Sequence, residues 1–256
     1  MSVLTNKTYI ITGASKGFGL AISKALLAAG ANIGMLARND EQLQQVVSGL
    51  ATDCAMGIAC DVTDAKQLQH AFAHIKNHFG SLNGVINNAG VARPGSVESI
   101  RADDLHLQIN TNFIGTVLCC QTSIPLLRGE DNPRIINISS ASAWHYDEML
   151  HLSIYAATKA AVERFTRDLR TELQEDGIGV TCIRPGAAWT DFSSGWDEAL
   201  LTAGIQAWHK VGTTMDTGME TEHVAQAVLN CLSYPAGVAV DLLEIRPNIP
   251  VPKIQL

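Results

Sequence analysis

Tyr155 and Lys159 stand four residues apart in a run from Tyr155 to Leu173 that contains neither Pro nor Gly. Such a run reads as one helix, and on a helix residues four apart lie one above the other on the same face. Phenol and ammonium therefore point into the same space. A free phenol titrates near pH ~10 and is a poor proton donor or acceptor at neutral pH. A cation fixed beside it favours the phenolate and is expected to lower that value. The pair then suits proton transfer to or from a substrate oxygen.

A helix alone cannot build a site, and the sequence supplies the frame. Tyr9-Ile10-Ile11-Thr12 is a short apolar run that reads as a buried strand. It passes into Gly13-Ala14-Ser15-Lys16-Gly17-Phe18-Gly19, and a helical pattern follows from Leu20 to Ala29, stopped at Gly30. Strand, glycine-rich turn and helix form the geometry that binds a dinucleotide. Glycine lets backbone approach a pyrophosphate, and the helix N-terminus presents unpaired N–H groups to it. The alternation then continues. Strands are expected at Asn32–Ala37, Ala55–Cys60, Leu82–Ile86, Arg134–Ile138, Gly179–Ile183 and near Val238–Ile245. Helices are expected at Glu41–Leu50, Ala65–Phe79, Asp104–Leu127, from Tyr155, and near Glu222–Leu232. This predicts an α/β fold: a single-domain, Rossmann-like, doubly wound sheet of seven mostly parallel strands with helices on both faces, filling residues 1–256. Ligands of such sheets bind outside the carboxyl ends of the strands. Polar motifs at Gly13, Asp61, Asn87, Ser140 and Pro185 all follow strands, so they converge on one crevice.

Composition excludes several classes. The chain is 46% hydrophobic and 17% charged with a net charge of -7, and no Lys/Arg cluster is present, so nucleic acid is not an expected partner. No apolar stretch approaches a membrane span, and the N-terminus shows no basic leader with an apolar run, which points to a cytoplasmic protein. The six cysteines form no Cys-x-x-Cys pair and read as reduced, buried thiols. His70, His74 and His78 recur every four residues, but without a carboxylate or Cys nearby they read as a solvated helix face, and no metal is expected.

Thr12 to Gly19, Asn87-Asn88-Ala89-Gly90, Asn112, Ser140, Tyr155, Lys159 and Pro185-Gly186 through Thr190 stand in the order of the short-chain dehydrogenase/reductase superfamily, which the whole chain resembles. The resemblance implies an NAD(P)-dependent oxidoreductase that interconverts a carbonyl and an alcohol. Tyr155 would be the acid in reduction and the base in oxidation. Lys159 would tune it and hold the nicotinamide ribose, and Ser140 would steady the substrate oxygen. Asn112 matches the family's helix-kink Asn, which holds a water linking Lys159 to solvent. The cofactor would be held by Gly13, Ser15, Lys16, Gly17, Phe18 and Gly19, with Asp61 and Val62 flanking the adenine. Asn88, Ala89, Gly90, Pro185, Gly186 and Thr190 would complete its site, while Asn87 stabilises the central strand. Counting back thirteen residues from Tyr155, as in many members, reaches Ser142, whereas the strand end gives Ser140; both remain open. The resemblance also admits a 3-oxoacyl-thioester (acyl carrier protein) reductase. A non-catalytic nucleotide sensor and a dehalogenase-type lyase are disfavoured by the presence of Tyr155, Lys159 and the three glycines.

Further expectations concern specificity and assembly. The second strand ends at Ala37 rather than an acid, Arg38 follows, and Lys16 lies in the turn, so NADP(H) is expected over NAD(H). Arg38 pairing with Asp40 or Glu41 is the alternative. Of four tryptophans, Trp144 lies in the loop after Ser140 beside His145, Tyr146, Met149 and Leu150. Trp189, Trp196 and Trp208, with Phe192, lie in a lid of about residues 188–220. Trp144, Trp189, Phe192 and Trp196 are expected to line an apolar pocket for a bulky substrate, with Gly195, Gly204 and Gly212 letting the lid move; the alternative is that the rings pin the lid down. Ala156, Ala157, Ala160 and Ala161 permit close helix packing, which in this family builds a homodimer or homotetramer.

Overall fold

The computed structural model describes residues 4–145, 150–193, 195–211 and 218–248; Tyr146, Met149 and Gly212 of the sequence argument lie outside the described residues. Among the described residues there are seven strands: β1 (Thr8–Thr12), β2 (Asn32–Ala37), β3 (Ala55–Ala59), β4 (Gly84–Asn87), β5 (Arg134–Ile138), β6 (Gly179–Pro185) and β7 (Leu242–Ile245). They form one sheet in the order β3-β2-β1-β4-β5-β6-β7, and every paired neighbour is parallel. The α-helices among the described residues that connect them are α1 (Gly17–Ala28), α2 (Asp40–Leu50), α3 (Ala65–Phe79), α4 (Ala102–Ile109), α5 (Gly115–Leu127), α6 (Ser153–Glu172), α7 (Glu198–Val211) and α8 (Thr221–Leu232).

Strand residues alternate between two cores because successive side chains leave a strand on opposite faces. Ile11, Ile86 and Ile136 join Ile22 and Leu26 of α1 and Val228 of α8 on one face. Ile10, Val85 and Ile135 join Phe72 and Ile75 of α3, Leu127 of α5 and Leu169 of α6 on the other. These strands are buried on both faces, hence their nearly continuous apolar sequence.

Three expectations need correction. The long helix expected at Asp104–Leu127 is α4 and α5 joined by a π-turn at Asn110–Ile114, because the Asn112 side chain is drawn into the protein there. The last strand begins at Leu242, not near Val238, which is exposed and follows a turn at Pro235. The lid region carries an unforeseen helix, α7, opened by Asp197 accepting from the Leu200 amide. Five cysteines are buried as expected, but Cys54 is exposed. His70 and His74 are exposed, and no metal-competent group of His, Cys, Asp or Glu occurs among the described residues. Among those residues, no helix is long and apolar enough to cross a membrane. Ala157 and Ala160 of α6 are exposed, whereas Ala156 and Ala161 are half-buried.

β1 and β4 are neighbours from the two halves of the sheet, and the crevice opens above them. Thr12, at the end of β1, holds it together: its Oγ1 accepts from the Asn88 and Ala89 amides, both at 3.0 Å. Asn88 returns the contact, its Nδ2 donating to the carbonyls of Thr12 at 3.0 Å and Gly13 at 3.2 Å. Replacing Thr12 by the isosteric Val strands two amides at roughly 1–3 kcal/mol each. Thermal unfolding of Thr12→Val should therefore shift down by roughly 5–10 °C; a shift under about 2 °C would show that the junction does not depend on this hydroxyl.

Candidate active site

Four contacts tie the end of β5 to one stripe of α6. Asn137 Nδ2 donates to Thr166 Oγ1 at 2.9 Å, and the Lys159 ammonium donates to the Ile138 carbonyl at 2.8 Å. The Ser139 hydroxyl donates to Glu163 Oε1 at 2.7 Å, and the Ser140 side chain faces the Tyr155 phenol closely enough to favour its ionised form. Tyr155, Lys159 and Glu163 are spaced by four, so the helix presents them in line. Tyr155 and Lys159 are buried, and the ammonium lies 5.9 Å from the centre of the Tyr155 ring.

The electrostatics correct one expectation. Burial dominates Tyr155 and pushes the phenol up to about 12, with the Ser140 side chain pulling the other way. Lys159 does not win because it is itself desolvated, which pushes it down to about 8, and because its proton is directed at Ile138. The two serines are also ordered by geometry. Ser142 donates its hydroxyl to Ser140 Oγ at 2.9 Å, and its amide donates there at 3.3 Å, so Ser140 stands between Ser142 and Tyr155.

Asn112 is fully buried, and its amide clamps Val91, accepting from the Val91 N–H and donating to its carbonyl, both at 2.8 Å. It also donates to Thr158 Oγ1 at 3.0 Å, and that hydroxyl donates to the Tyr155 carbonyl. The π-turn is what turns Asn112 inward to bridge the loop after β4 and α6.

The glycine-rich turn can be tested for fit to a dinucleotide. The first turn of α1 has no acidic residue and no side-chain cap, so its N–H groups are not answered by a carboxylate of their own helix. A Cβ placed on Gly17 would meet nothing nearer than Thr190 at 3.9 Å, which leaves the approach open. A Cβ on Gly90 would stand in ordinary contact with Lys159 Nζ at 3.4 Å and Asn112 Oδ1 at 3.5 Å, so Gly90 borders both groups. Gly19 tolerates no side chain, since a Cβ would run into the Gly13 carbonyl. A cleft of about 290 Å³ lies beside the turn, between Gly17 and Leu20 on one wall and Trp189, Thr190 and Thr221 on the other. These features fit a nicotinamide dinucleotide lying across the strand ends.

Other expected cofactor residues are placed as follows. Ser15 is nearly buried and its hydroxyl faces Gln42 of α2 at 3.4 Å. Lys16 and Arg38 are exposed, and no ion pair joins Arg38 to Asp40 or Glu41. Asp40 instead accepts from Gln44. Asp61 Oδ1 is occupied by the Thr63 amide and hydroxyl, and Val62 is buried against Gly115. Phe18 packs onto the core beneath α1. Pro185 ends β6, and the Gly186 amide donates to the Ile245 carbonyl.

The aromatic residues separate into three groups. Phe192 and Trp196 stand at Tyr155: the Phe192 ring is 5.2 Å from the phenol ring, and Trp196 is 6.1 Å beyond Phe192. Among the described residues, Trp144 and Trp189 make no ring contact with Tyr155. Trp144 is 61% exposed and lies 5.7 Å above the Arg184 guanidinium, which outcompetes the pocket for its π-face. Trp189 packs on Gly218 and borders the cleft beside Gly17. Trp208 is buried and pins α7 to the chain before α6, donating to the Leu150 carbonyl at 2.6 Å. Sequence reasoning missed Ser139, Glu163 and Arg184, although Glu163 follows Lys159 by the same four-residue step that singled out Tyr155.

Residues 7–200 match the short chain dehydrogenase family. An uncharacterized oxidoreductase of Staphylococcus aureus strain USA300 is 31% identical over 96% of this chain and its own full length. Another, from Staphylococcus epidermidis, is 30% identical over the same shares. Among solved structures, a dehydrogenase/reductase of Sinorhizobium meliloti 1021 superposes with a TM-score of 0.81 and 28% identity, covering 96% of both chains. A closed form of serine dehydrogenase complexed with NADP+ superposes with a TM-score of 0.80 and 27% identity, covering 93% of this chain and 94% of that one. The chain belongs to the short chain dehydrogenase family and is an oxidoreductase that works with a nicotinamide cofactor.

Proposed function

We propose that this enzyme interconverts a bulky, largely apolar carbonyl compound and its alcohol, with NADP(H) preferred over NAD(H). The observation that carries the reading is the joining of Ser140, Tyr155 and Lys159 at the strand ends, beside a glycine-rich turn open to a dinucleotide. A bound nicotinamide supplies or accepts the hydride at the reacting carbon. Tyr155 supplies the proton to the carbonyl oxygen in reduction and removes it in oxidation. Ser140 holds the phenol from one side and orients the same oxygen. Lys159 closes the floor of the site and holds the cofactor ribose, and its charge favours the phenolate whenever Tyr155 gives up its proton. Asn112 keeps the Val91 loop and α6 at fixed separation. Gly13, Gly17, Gly19, Asn88, Ala89, Gly90 and Thr190 shape the cofactor cradle.

Tyr155→Phe should lower kcat by ~10²-fold or more, as expected for lost acid–base catalysis. Ser140→Ala should fall nearly as far, and Ser142→Ala, one hydroxyl further back, by less than about tenfold. Near-normal turnover in Tyr155→Phe, or a Ser142→Ala enzyme weaker than Ser140→Ala, would refute the assignment.

The preference for NADP(H) rests on Arg38, exposed directly after β2, which ends on Ala37 rather than a carboxylate, and on Lys16, exposed in the glycine-rich turn. A guanidinium can grip a 2'-phosphate through two parallel N–H bonds. Titration should show NADPH binding at least about tenfold tighter than NADH, with Arg38→Ala removing most of the difference. Equal affinities in the parent enzyme would defeat the preference.

The substrate reading rests on Phe192 and Trp196, which pack in sequence onto Tyr155. kcat/KM should be higher for aryl or polycyclic ketones than for short polar hydroxy or oxo acids. Trp196→Ala should lose roughly tenfold on the bulky compounds and little on the small ones. A parent enzyme that prefers the small polar compounds would overturn this substrate class.

A further inference from the structure

Glu163 is a half-buried carboxylate at the back of the site, on the same stripe of α6 as Tyr155 and Lys159. One of its oxygens, Oε1, accepts from Ser139 Oγ at 2.7 Å and from Arg184 Nε at 2.8 Å; the other accepts from Arg184 Nη2. Arg184 precedes Pro185 and Gly186, and its remaining arm reaches Glu244 of β7 at 2.8 Å. Glu244 in turn holds His145, in the loop that follows Ser140, at 2.9 Å. One carboxylate thus joins the elements that carry Ser140, Lys159 and Pro185-Gly186.

The register of these contacts gives Glu163 its importance. Ile138, Ser139 and Ser140 are consecutive, and they meet Lys159, Glu163 and Tyr155 of one helical stripe. A strand advances about 3.3 Å per residue and a helix about 6 Å per four residues. The three pairs meet out of helical order, so the contacts fan across the stripe, and a shift of either element by one such step breaks them. Two of the contacts belong to the reacting groups themselves. Asn137 to Thr166 and Ser139 to Glu163 take no part in proton transfer, and of these two Ser139 to Glu163 lies next to Ser140 and is charge-assisted, the stronger kind of bond. The same Ser139 hydroxyl lies 3.2 Å from the Lys159 carbonyl, so its placement also touches the turn that carries the ammonium.

We infer that Glu163, acting through Ser139, is a positioning residue that sets the alignment of Ser140 and Tyr155 for proton transfer. This rests on the acid–base reading of Tyr155 given above. Arg184 holds Glu163 in place through two of its nitrogens. The titratable and charged groups facing this stripe are Cys182 and Arg184 of β6, Glu244 of β7 and His145 of the loop after Ser140.

Four proteins decide the matter: the parent, Ser139→Ala, Glu163→Gln and Tyr155→Phe. Ser139→Ala removes only the hydroxyl and leaves the Glu163–Arg184 pair intact, so it tests alignment even where Glu163→Gln is unstable. Measured are kcat, KM, the pH profile of kcat, and the Kd for NADPH from its own fluorescence. Ser139→Ala should lower kcat roughly tenfold, the scale expected of a small misplacement of reacting groups. It should also move a limb of the kcat profile by about half a pH unit or more, while KM and the NADPH Kd stay within about twofold. Glu163→Gln should follow it in direction. A Ser139→Ala kcat within about twofold of the parent, beside an inactive Tyr155→Phe, overturns the role of Glu163 and leaves the acid–base reading standing. So does a loss of kcat with an unmoved pH profile and an NADPH Kd weakened in step, which marks general loosening. An active Tyr155→Phe enzyme removes the proton transfer itself and overturns both.

Discussion

An ammonium buried without a carboxylate at its side constrains everything around it. Lys159 is 4% exposed, burial drags it down to about 8, and its hydrogen bond runs to the Ile138 carbonyl. Taking such a group out of water is costly unless its protons are answered, so its surroundings cannot be arbitrary. The end of β5 must lie against the second turn of α6 to bring that carbonyl within reach. Gly90 lies directly against the cation, a Cβ there coming into contact with both the ammonium and Asn112. Asn112 must leave the regular helix to hold the neighbouring loop at the right depth. The sheet order supplies the coarse placement, and this cation sets the fine one.

The position of the site was readable because it follows from order. Parallel strands all end on one side, so residues that follow strands meet there whatever the details of packing. The element bounds were close for the same reason: apolar β-rich runs bounded by Gly or polar turns leave little choice, and Asn32–Ala37, Ala65–Phe79 and Arg134–Ile138 came out as expected. Thr12, Asn88, Ser140, Tyr155 and Lys159 share a neighbourhood because each ends a strand or begins the helix beside one.

What was not readable depends on competition between partners that lie far apart in the chain. Trp144 was expected to line the pocket because its loop flanks Tyr155 in the resembled fold, but Arg184, forty residues on, offers it a cationic face. Trp189 follows β6 with its backbone bound to Met219, which turns its ring toward Gly218. The charge of Lys159 was expected to govern Tyr155, yet burial outweighs it, and burial is a property of the assembled core. Glu163 carried a local signal, its step from Lys159. Its partner Arg184 lies twenty-one positions away, however, and a strand end does not announce which way a guanidinium will turn.

The π-turn between α4 and α5 sets the kind of sequence change this protein can absorb. A π-turn holds one residue more than the helical turn it replaces, so α4 and α5 are out of phase by about 100°. Removing any one residue between positions 110 and 114 would let the chain heal into a single regular helix. It would also rotate α4 by about a quarter turn against α5, carrying Gln108 away from the Arg93 amide it now holds at 3.1 Å. Point substitutions on the outer face of this segment leave that phase alone. Chain length here is therefore under a stricter constraint than residue identity, and a lineage can vary the letters of this segment far more freely than their number.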